Sequence, residues 1–270
     1  MPELPEVETT VAGLRPVLEG KKLTVVEPRR PDLRRPIPTD LRQRMTGARV
    51  TQLTRRAKYG LIETDRNDVM IFHLGMSGRW RIDPSELEKH DHLLLETEDN
   101  RRLVLNDPRR FGSLDLVRVQ DLDDFPAFAK MGPEPLSDDF NGTYLKAVTK
   151  DRKAPIKQVL LDQRTVAGLG NIYVCEALFL AGIDPAGMSG GISKLRYDKL
   201  ATAIKQVLLS AIAAGGSSLR DYARPDGELG YFSKQWLVYG REGEECVCGA
   251  PVIRKVDSGR STFYCKKCQS

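Results

Sequence analysis

The sequence opens Met1-Pro2-Glu3-Leu4-Pro5-Glu6-Val7-Glu8, and this stretch holds a possible nucleophile. Proline at position 2 is small enough for the initiator methionine to be removed, which would leave a free secondary amine. An α-amino group has a pKa of roughly 7.7–8.0, against roughly 10.4 for a lysine side chain. A useful fraction is therefore unprotonated near neutral pH, although the basicity of the proline ring reduces the advantage. A secondary amine condensing with an aldehydic carbon gives a permanently cationic iminium, an electron sink for elimination. Glu3 and Glu6 sit where they could pass protons. The same residues also read as an ordinary helix start, with Pro5 in the first turn, acidic residues at the N-terminus, and Val7, Val11, Leu14 and Leu18 on one face. No basic start and no apolar run follow, so a signal peptide is not expected and the chain is expected to begin here as mature protein.

A second constellation lies at the other end. Cys246-Val247-Cys248 is followed, after sixteen residues, by Cys265-Lys266-Lys267-Cys268. Four thiolates in two close pairs specify a tetrahedral zinc site, structural because no coordination position stays open. The first pair has one intervening residue rather than the usual two. Either the turn tightens, helped by Gly249, and both sulfurs bind, or Cys246 binds weakly. A hairpin this small buries too little apolar area to fold without its metal. Cys175 stands apart in an apolar helical run. Without a secretory signal, this distribution favours metal over disulfides and a reducing compartment.

Other residues of interest sit in turns. Lys58 lies in Arg55-Arg56-Ala57-Lys58-Tyr59-Gly60, which alone reads as an exposed basic turn. His73-Leu74-Gly75-Met76-Ser77-Gly78 and Asn106-Asp107-Pro108-Arg109-Arg110-Phe111-Gly112 are Gly-flanked loops that place a Met and a Phe beside Arg. Apolar wedges with Arg are what a protein uses to enter a duplex, and loop residues folding back on the core explain them as well. His90 lies in Lys89-His90-Asp91-His92, readable as metal ligands or as a strand start. Val166-Ala167-Gly168-Leu169-Gly170-Asn171 is a Gly-rich turn opening a helix, suited to an anion but without dinucleotide spacing. Gly259-Arg260-Ser261-Thr262-Phe263-Tyr264 is a turn feeding a strand.

The elements that must position these groups fall into two textures. From Leu23 to Val119 the pattern is β, with many short strands between polar turns, which suggests a sandwich or barrel. His92–Glu96 and Arg102–Leu105 form an expected hairpin across Glu98-Asp99-Asn100. Phe125 to Lys130 reads helical, and Met131 to Asp139 reads as a linker. Helices are then expected at Tyr144–Lys150, Pro155–Asp162, Ile172–Ala181 and Lys194–Ala214, with a polar loop from Asp221 to Gly230. The 270 residues suffice for two modest domains, and no stretch approaches a membrane span. A net charge of +5 leans mildly toward polyanions. The Arg pairs at 29–30, 34–35, 55–56, 101–102 and 109–110 suit phosphate.

Taken together, these motifs resemble the formamidopyrimidine-DNA glycosylases, bacterial enzymes that excise oxidised purines, almost from end to end. The resemblance implies an α+β multidomain fold. It comprises a catalytic β-sandwich with an N-terminal helix over residues 1–132, a linker at 133–141, a helix–two-turns–helix DNA-binding domain at 142–235, and a zinc-finger β-hairpin at 236–270. It implies that Pro2 attacks the anomeric sugar carbon, Glu3 protonates the departing group, and Lys58 donates a proton in β-elimination. Arg260 contacts phosphate and donates a proton in the last elimination. Met76, Arg109 and Phe111 fill the space left by an everted nucleotide, with Arg109 facing the orphaned base. His90, Arg152, Asn171 and Lys157 contact DNA, and Cys246, Cys248, Cys265 and Cys268 hold one zinc. The segment from Ser217 to Gly230 is expected to cover the everted base. The implied partner is damaged double-stranded DNA, met by a cytoplasmic, nucleoid-associated monomer without membrane attachment, nucleotide cofactor or catalytic metal. One-residue spacing in the first cysteine pair departs from the family pattern.

Two other readings use the same residues. A sister enzyme of the endonuclease VIII type, acting on oxidised pyrimidines, usually has Gly where Leu4 stands and lacks the full Met/Arg/Phe wedge. A non-catalytic zinc-ribbon nucleic-acid-binding protein would explain the cysteines and basic clusters, but not the proline start or Lys58.

Overall fold

The computed structural model describes residues 2–217, 225, 231–257 and 259–270. The expected loss of Met1 lies outside the described residues, as does most of the expected covering loop. The chain divides into two compact units, Met1–Ala129 with Ala214–Ser233, and Lys130–Ala213 with Lys234–Ser270.

The first unit begins with helix α1 (Leu4–Leu18). Pro5 stands in its first turn, where a missing N–H costs nothing. Val7, Val11, Leu14 and Leu18 recur at helical spacing and all are buried. Gly20, at φ +76, lets the chain turn back after the helix. Eight strands follow: β1 (Leu23–Pro28), β2 (Val50–Arg56), β3 (Tyr59–Thr64), β4 (Asp68–His73), β5 (Arg79–Ile82), β6 (Asp91–Thr97), β7 (Arg102–Asn106) and β8 (Ser113–Arg118). They form two four-stranded antiparallel sheets, ordered β1-β6-β7-β5 and β2-β3-β4-β8. One apolar core joins α1 to both sheets, with Phe72 of one meeting Trp80 of the other edge-on at 5.5 Å. This is the expected sandwich, and the hairpin β6–β7 turns where expected.

Two local expectations need correction. Phe125 to Lys130 is not a helix but a run of turns. Pro126 offers no N–H, and Phe125 and Phe128 are held by the outer face of the second sheet, against Tyr59, Leu61, Val69 and Ile71. A short helix, α2 (Leu41–Met45), interrupts the stretch read as wholly β. Leu41 and Met45, four residues apart, bury its one apolar edge.

The second unit contains α3 (Gly142–Val148), α4 (Ile156–Leu161), α5 (Asn171–Ala181), α6 (Lys194–Ala213) and the hairpin β9 (Ile253–Asp257) and β10 (Arg260–Tyr264). α5 is buried almost throughout and packs against α4, α6 and β10. Its Glu176 carboxylate accepts the N–H groups of Leu237, Val238 and Tyr239 at 2.8, 3.0 and 2.8 Å. These three bonds satisfy a charge that burial would otherwise expel, and burial still raises its pKa. They pin the segment leading to the cysteines onto α5. Among the described residues no helix is long and apolar enough to cross a membrane.

Candidate active site

In the first unit, α1 runs back along β2. Gly20 N–H bonds the Val50 carbonyl, Glu19 takes the Leu53 N–H at 2.7 Å, and Glu8 takes Arg55 Nε at 2.8 Å. The first turn of α1 therefore lies toward the end of β2 that turns into Lys58. Pro2 and Glu3 are buried there. Glu6, also buried, holds the helix start in place. Its Oε2 accepts the Glu3 N–H at 2.8 Å and its Oε1 accepts the Ser217 N–H at 2.8 Å. The helix-start and chemical readings of this stretch are compatible: the first turn that caps the helix also fixes the backbone of residue 3.

Lys58 is not the exposed turn residue that its local sequence suggests. It sits at the tip of the β2–β3 hairpin after Ala57, whose φ is +53, and is only 8% exposed. Next to it, Tyr59 pairs with His73 across β3 and β4, the rings 4.7 Å apart. His73 was absent from the expected site residues, although it ends a strand beside a Gly-flanked loop. Burial, and then the charge of Lys58, hold its pKa down to about 4. Its Nδ1 accepts the Gly75 N–H at 3.1 Å, so the neutral ring ties strand β4 to the loop carrying Met76.

That neutrality has a pH signature. Above about pH 6.5 both folded and unfolded chains hold His73 neutral, and the group contributes nothing. Below it the unfolded chain takes up a proton that the folded chain refuses, so stability falls until about pH 4. The full loss is on the order of 3 kcal/mol. Urea midpoints at pH 7 and pH 5 should differ more for the parent than for His73→Gln, whose side chain does not titrate.

The two loops expected to form the wedge are laced together by Asp107, buried and acceptor on both oxygens. Ser77 Oγ donates to Oδ1 at 2.7 Å and the Gly112 N–H to Oδ2 at 2.8 Å, while the Arg109 N–H reaches Ser77 Oγ at 3.2 Å. The Asp107 carbonyl meets His92 Nε2 at 2.9 Å. Met76, Arg109 and Phe111 are thus carried on one connected platform, with the Arg109 guanidinium 4.8 Å from the Phe111 ring centroid and Phe111 45% exposed. His90 is half-buried beside this platform. The metal reading of Lys89–His92 finds no support, because Asp91 is committed to Arg81 and Asn106. A Cβ on Gly75 (φ +62) would lie 2.3 Å from the Phe111 carbonyl carbon. Gly75→Ala should therefore cost about 2–5 kcal/mol from backbone strain and overpacking, read as a lowered urea midpoint.

In the second unit, α4 and α5 flank the Gly-rich turn, and the Gly168 N–H bonds Gln163 Oε1 at 2.8 Å. Asn171 opens α5, and its Nδ2 donates to the Ser261 carbonyl at 2.8 Å. Arg152 is exposed, whereas Lys157 is buried with its Nζ turned toward β10. Arg260 is exposed at the start of β10, after Gly259 at φ +75.

The four tail cysteines bring their sulfurs within 4.8 Å of one another. Cys246 and Cys268 are 3.8 Å apart, and Cys248 and Cys265 3.5 Å. A tetrahedral metal with bonds of about 2.3 Å sets its sulfurs roughly 3.8 Å apart, so the residues fit. The short first pair is accommodated by a tight turn: Cys246 N–H to the Ala250 carbonyl, Gly249 N–H to the Cys246 carbonyl, and Gly249 at φ +81. Among these four thiols, a backbone hydrogen bond from Ala250 lowers the pKa of Cys248, whereas its sulfur neighbours raise that of Cys268.

A two-sheet unit with Pro2, Glu3 and Lys58 buried, and a helical unit ending in four clustered cysteines, have the make-up of a DNA glycosylase. Residues 1–114 match the formamidopyrimidine-DNA glycosylase N-terminal domain, and residues 131–223 the H2TH domain of the same family. The chain is 69% identical to the formamidopyrimidine-DNA glycosylase of Rhizorhabdus wittichii over the whole of both chains. The crystal structure of MutM (Fpg) from Thermus thermophilus superposes with a TM-score of 0.90 at 39% identity, covering 99% of this chain and 98% of that one. A Lactococcus lactis Fpg mutant bound to Fapy-dG-containing DNA gives 0.92 at 34% identity over all of both chains. The chain belongs to the formamidopyrimidine-DNA glycosylase family.

Proposed function

We propose that the protein excises oxidised purines, 8-oxoguanine and formamidopyrimidines, from double-stranded DNA and then cleaves the strand. With Met1 removed, the Pro2 nitrogen attacks C1′ of an everted nucleotide. Glu3 protonates the departing group as the C1′–base bond breaks; loss of the proline N–H proton and opening of the C1′–O4′ bond, with a proton placed on O4′, then leave an iminium. Loss of a C2′ proton drives its electrons toward the iminium and expels the 3′ phosphate, with Lys58 as proton donor. Loss of a C4′ proton then expels the 5′ phosphate with Arg260 assisting, and hydrolysis frees the amine. What supports this reading is the buried Lys58 at the hairpin tip, toward which the Pro2–Glu3 end of α1 is directed. A bland surface turn would leave that lysine in water.

Met76, Arg109 and Phe111 fill the vacated space, while His90, Arg152 and Asn171 hold phosphates. Zinc is the metal that four thiolates in this geometry suit, and it stays structural. The protein acts as a monomer in the cytoplasm, at the nucleoid.

Duplexes carrying 8-oxoguanine, a formamidopyrimidine or an abasic site, each opposite all four bases, test the reading. Scission should leave phosphate at both ends of a one-nucleotide gap. Cytosine offers acceptors to an Arg that has only donors, so excision should be several-fold faster opposite cytosine than adenine, and Arg109→Ala should narrow the difference. No scission at an abasic site would leave only a DNA-binding zinc protein.

A further inference from the structure

Lys157 is 4% exposed, a poor position for a charge meant to meet a phosphate. Its Nζ donates to the Ser261 carbonyl at 3.0 Å and to Thr262 Oγ1 at 2.8 Å. Thr262 Oγ1 in turn donates to Asp257 Oδ2 at 3.1 Å, which links the buried ammonium to a carboxylate. Asn171 Nδ2, from a different helix, reaches the same Ser261 carbonyl. Two side chains from α4 and α5 therefore hold the backbone of β10 directly after Arg260. Burial lowers the Lys157 pKa, and a buried ammonium is tolerated where its donors are satisfied. Arg260 itself is exposed at the hairpin tip, one residue before the clamped carbonyl. Within the hairpin Arg260 pairs with Asp257 and Ser261 with Val256, so β9 sets the register, and the bonds from α4 and α5 fix how the hairpin is held.

We propose that Lys157 is a positioning residue for Arg260: by locking Ser261 and Thr262 against α4 it sets the direction of the Arg260 guanidinium, and it makes no phosphate contact of its own. The proposal rests on the role given to Arg260 above. A misplacement of about 1 Å at a reacting group can cost roughly 10²-fold, so a clamp beside that group is kinetically visible.

The test is single-turnover cleavage of a duplex with a preformed abasic site, resolving the β-elimination product from the β,δ product. Arg260→Ala should slow the second elimination about 10²-fold. Lys157→Met should slow the same step by roughly tenfold or more and leave the first within about twofold. The double variant should be no slower than Arg260→Ala, because residues acting as one unit are not additive. Thr262→Val, which removes the hydroxyl end of the clamp, should shift the product ratio the same way, and Lys157→Arg should restore part of it. Bound metal is measured for every variant; should Lys157→Met lose it, Thr262→Val and Lys157→Arg decide. An unchanged product ratio in Lys157→Met overturns the positioning role. So does a double variant slower than Arg260→Ala, or a salt slope for DNA binding that falls by about one beyond that of Arg260→Ala, the mark of a separate phosphate contact. A second elimination unaffected by Arg260→Ala removes the Arg260 assignment itself, and the positioning role with it.

Discussion

Borohydride added during turnover should fix the protein covalently to lesion-bearing DNA, and peptide mapping should place the adduct on residue 2 with Met1 absent. Hydride reduces an iminium to a stable amine, so the trapped linkage reports which nitrogen attacked. Retaining Met1 should abolish trapping altogether, because an acylated proline nitrogen has no basic lone pair. Pro2→Gly keeps a terminal amine and should trap weakly. Glu3→Gln should block base excision, by about 10²-fold or more, yet spare scission at a preformed abasic site, where no base has to leave. Glu6 predicts a subtler effect. Its oxygens hold the Glu3 and Ser217 backbones, so Glu6→Gln, which swaps one acceptor for a donor, should impair both steps. An adduct on Lys58, with residue 2 unmodified, would return the opening stretch to being a helix start and nothing more.

The fold was legible where one apolar period dominated. Val7, Val11, Leu14 and Leu18 gave α1, and short apolar runs between polar turns gave strands, the expected hairpin among them. It was illegible where tertiary contacts overrode local preference. Phe125 to Lys130 has helical composition, but its aromatics are claimed by the outer faces of β3 and β4, 50 or more residues upstream, and Pro126 removes a donor. Leu41 and Met45 are too few to register a helical period, so α2 was invisible among strands.

The site divides along the same line. Residue types with unusual chemistry, a proline amine and four clustered cysteines, announced themselves. Residues whose role depends on what they touch did not. Lys58 looks like a solvated turn until the hairpin buries it, and His73 looks like a strand residue until Lys58 and the Gly75 amide surround it. Asp107 reads as loop filler, yet it fastens both wedge loops. Lys157 sat in a basic cluster, which suggests phosphate, and only the fold turns its ammonium inward. Charge is written in the sequence, but burial and direction are not.

Stripping the metal should unmake the hairpin β9–β10 while the sandwich, which has a core of its own, stays folded. Structural zinc supplies apparent binding free energies of about 10–16 kcal/mol to zinc-finger peptides, far more than the few apolar side chains around these cysteines can replace. Elemental analysis should find one zinc per chain, and chelation should greatly reduce DNA affinity because Arg260 loses its strand. The short first pair sharpens the test. The turn closed by Ala250 and Gly249 points both sulfurs inward and leaves Val247, between them, 80% exposed. Cys246 is itself buried and 3.8 Å from Cys268, as a full ligand would be. Cys246→Ser and Cys265→Ser should therefore lower zinc occupancy comparably, each below about half under chelator competition. Occupancy kept by Cys246→Ser but lost by Cys265→Ser would make this a three-cysteine site, with the one-residue spacing its cause.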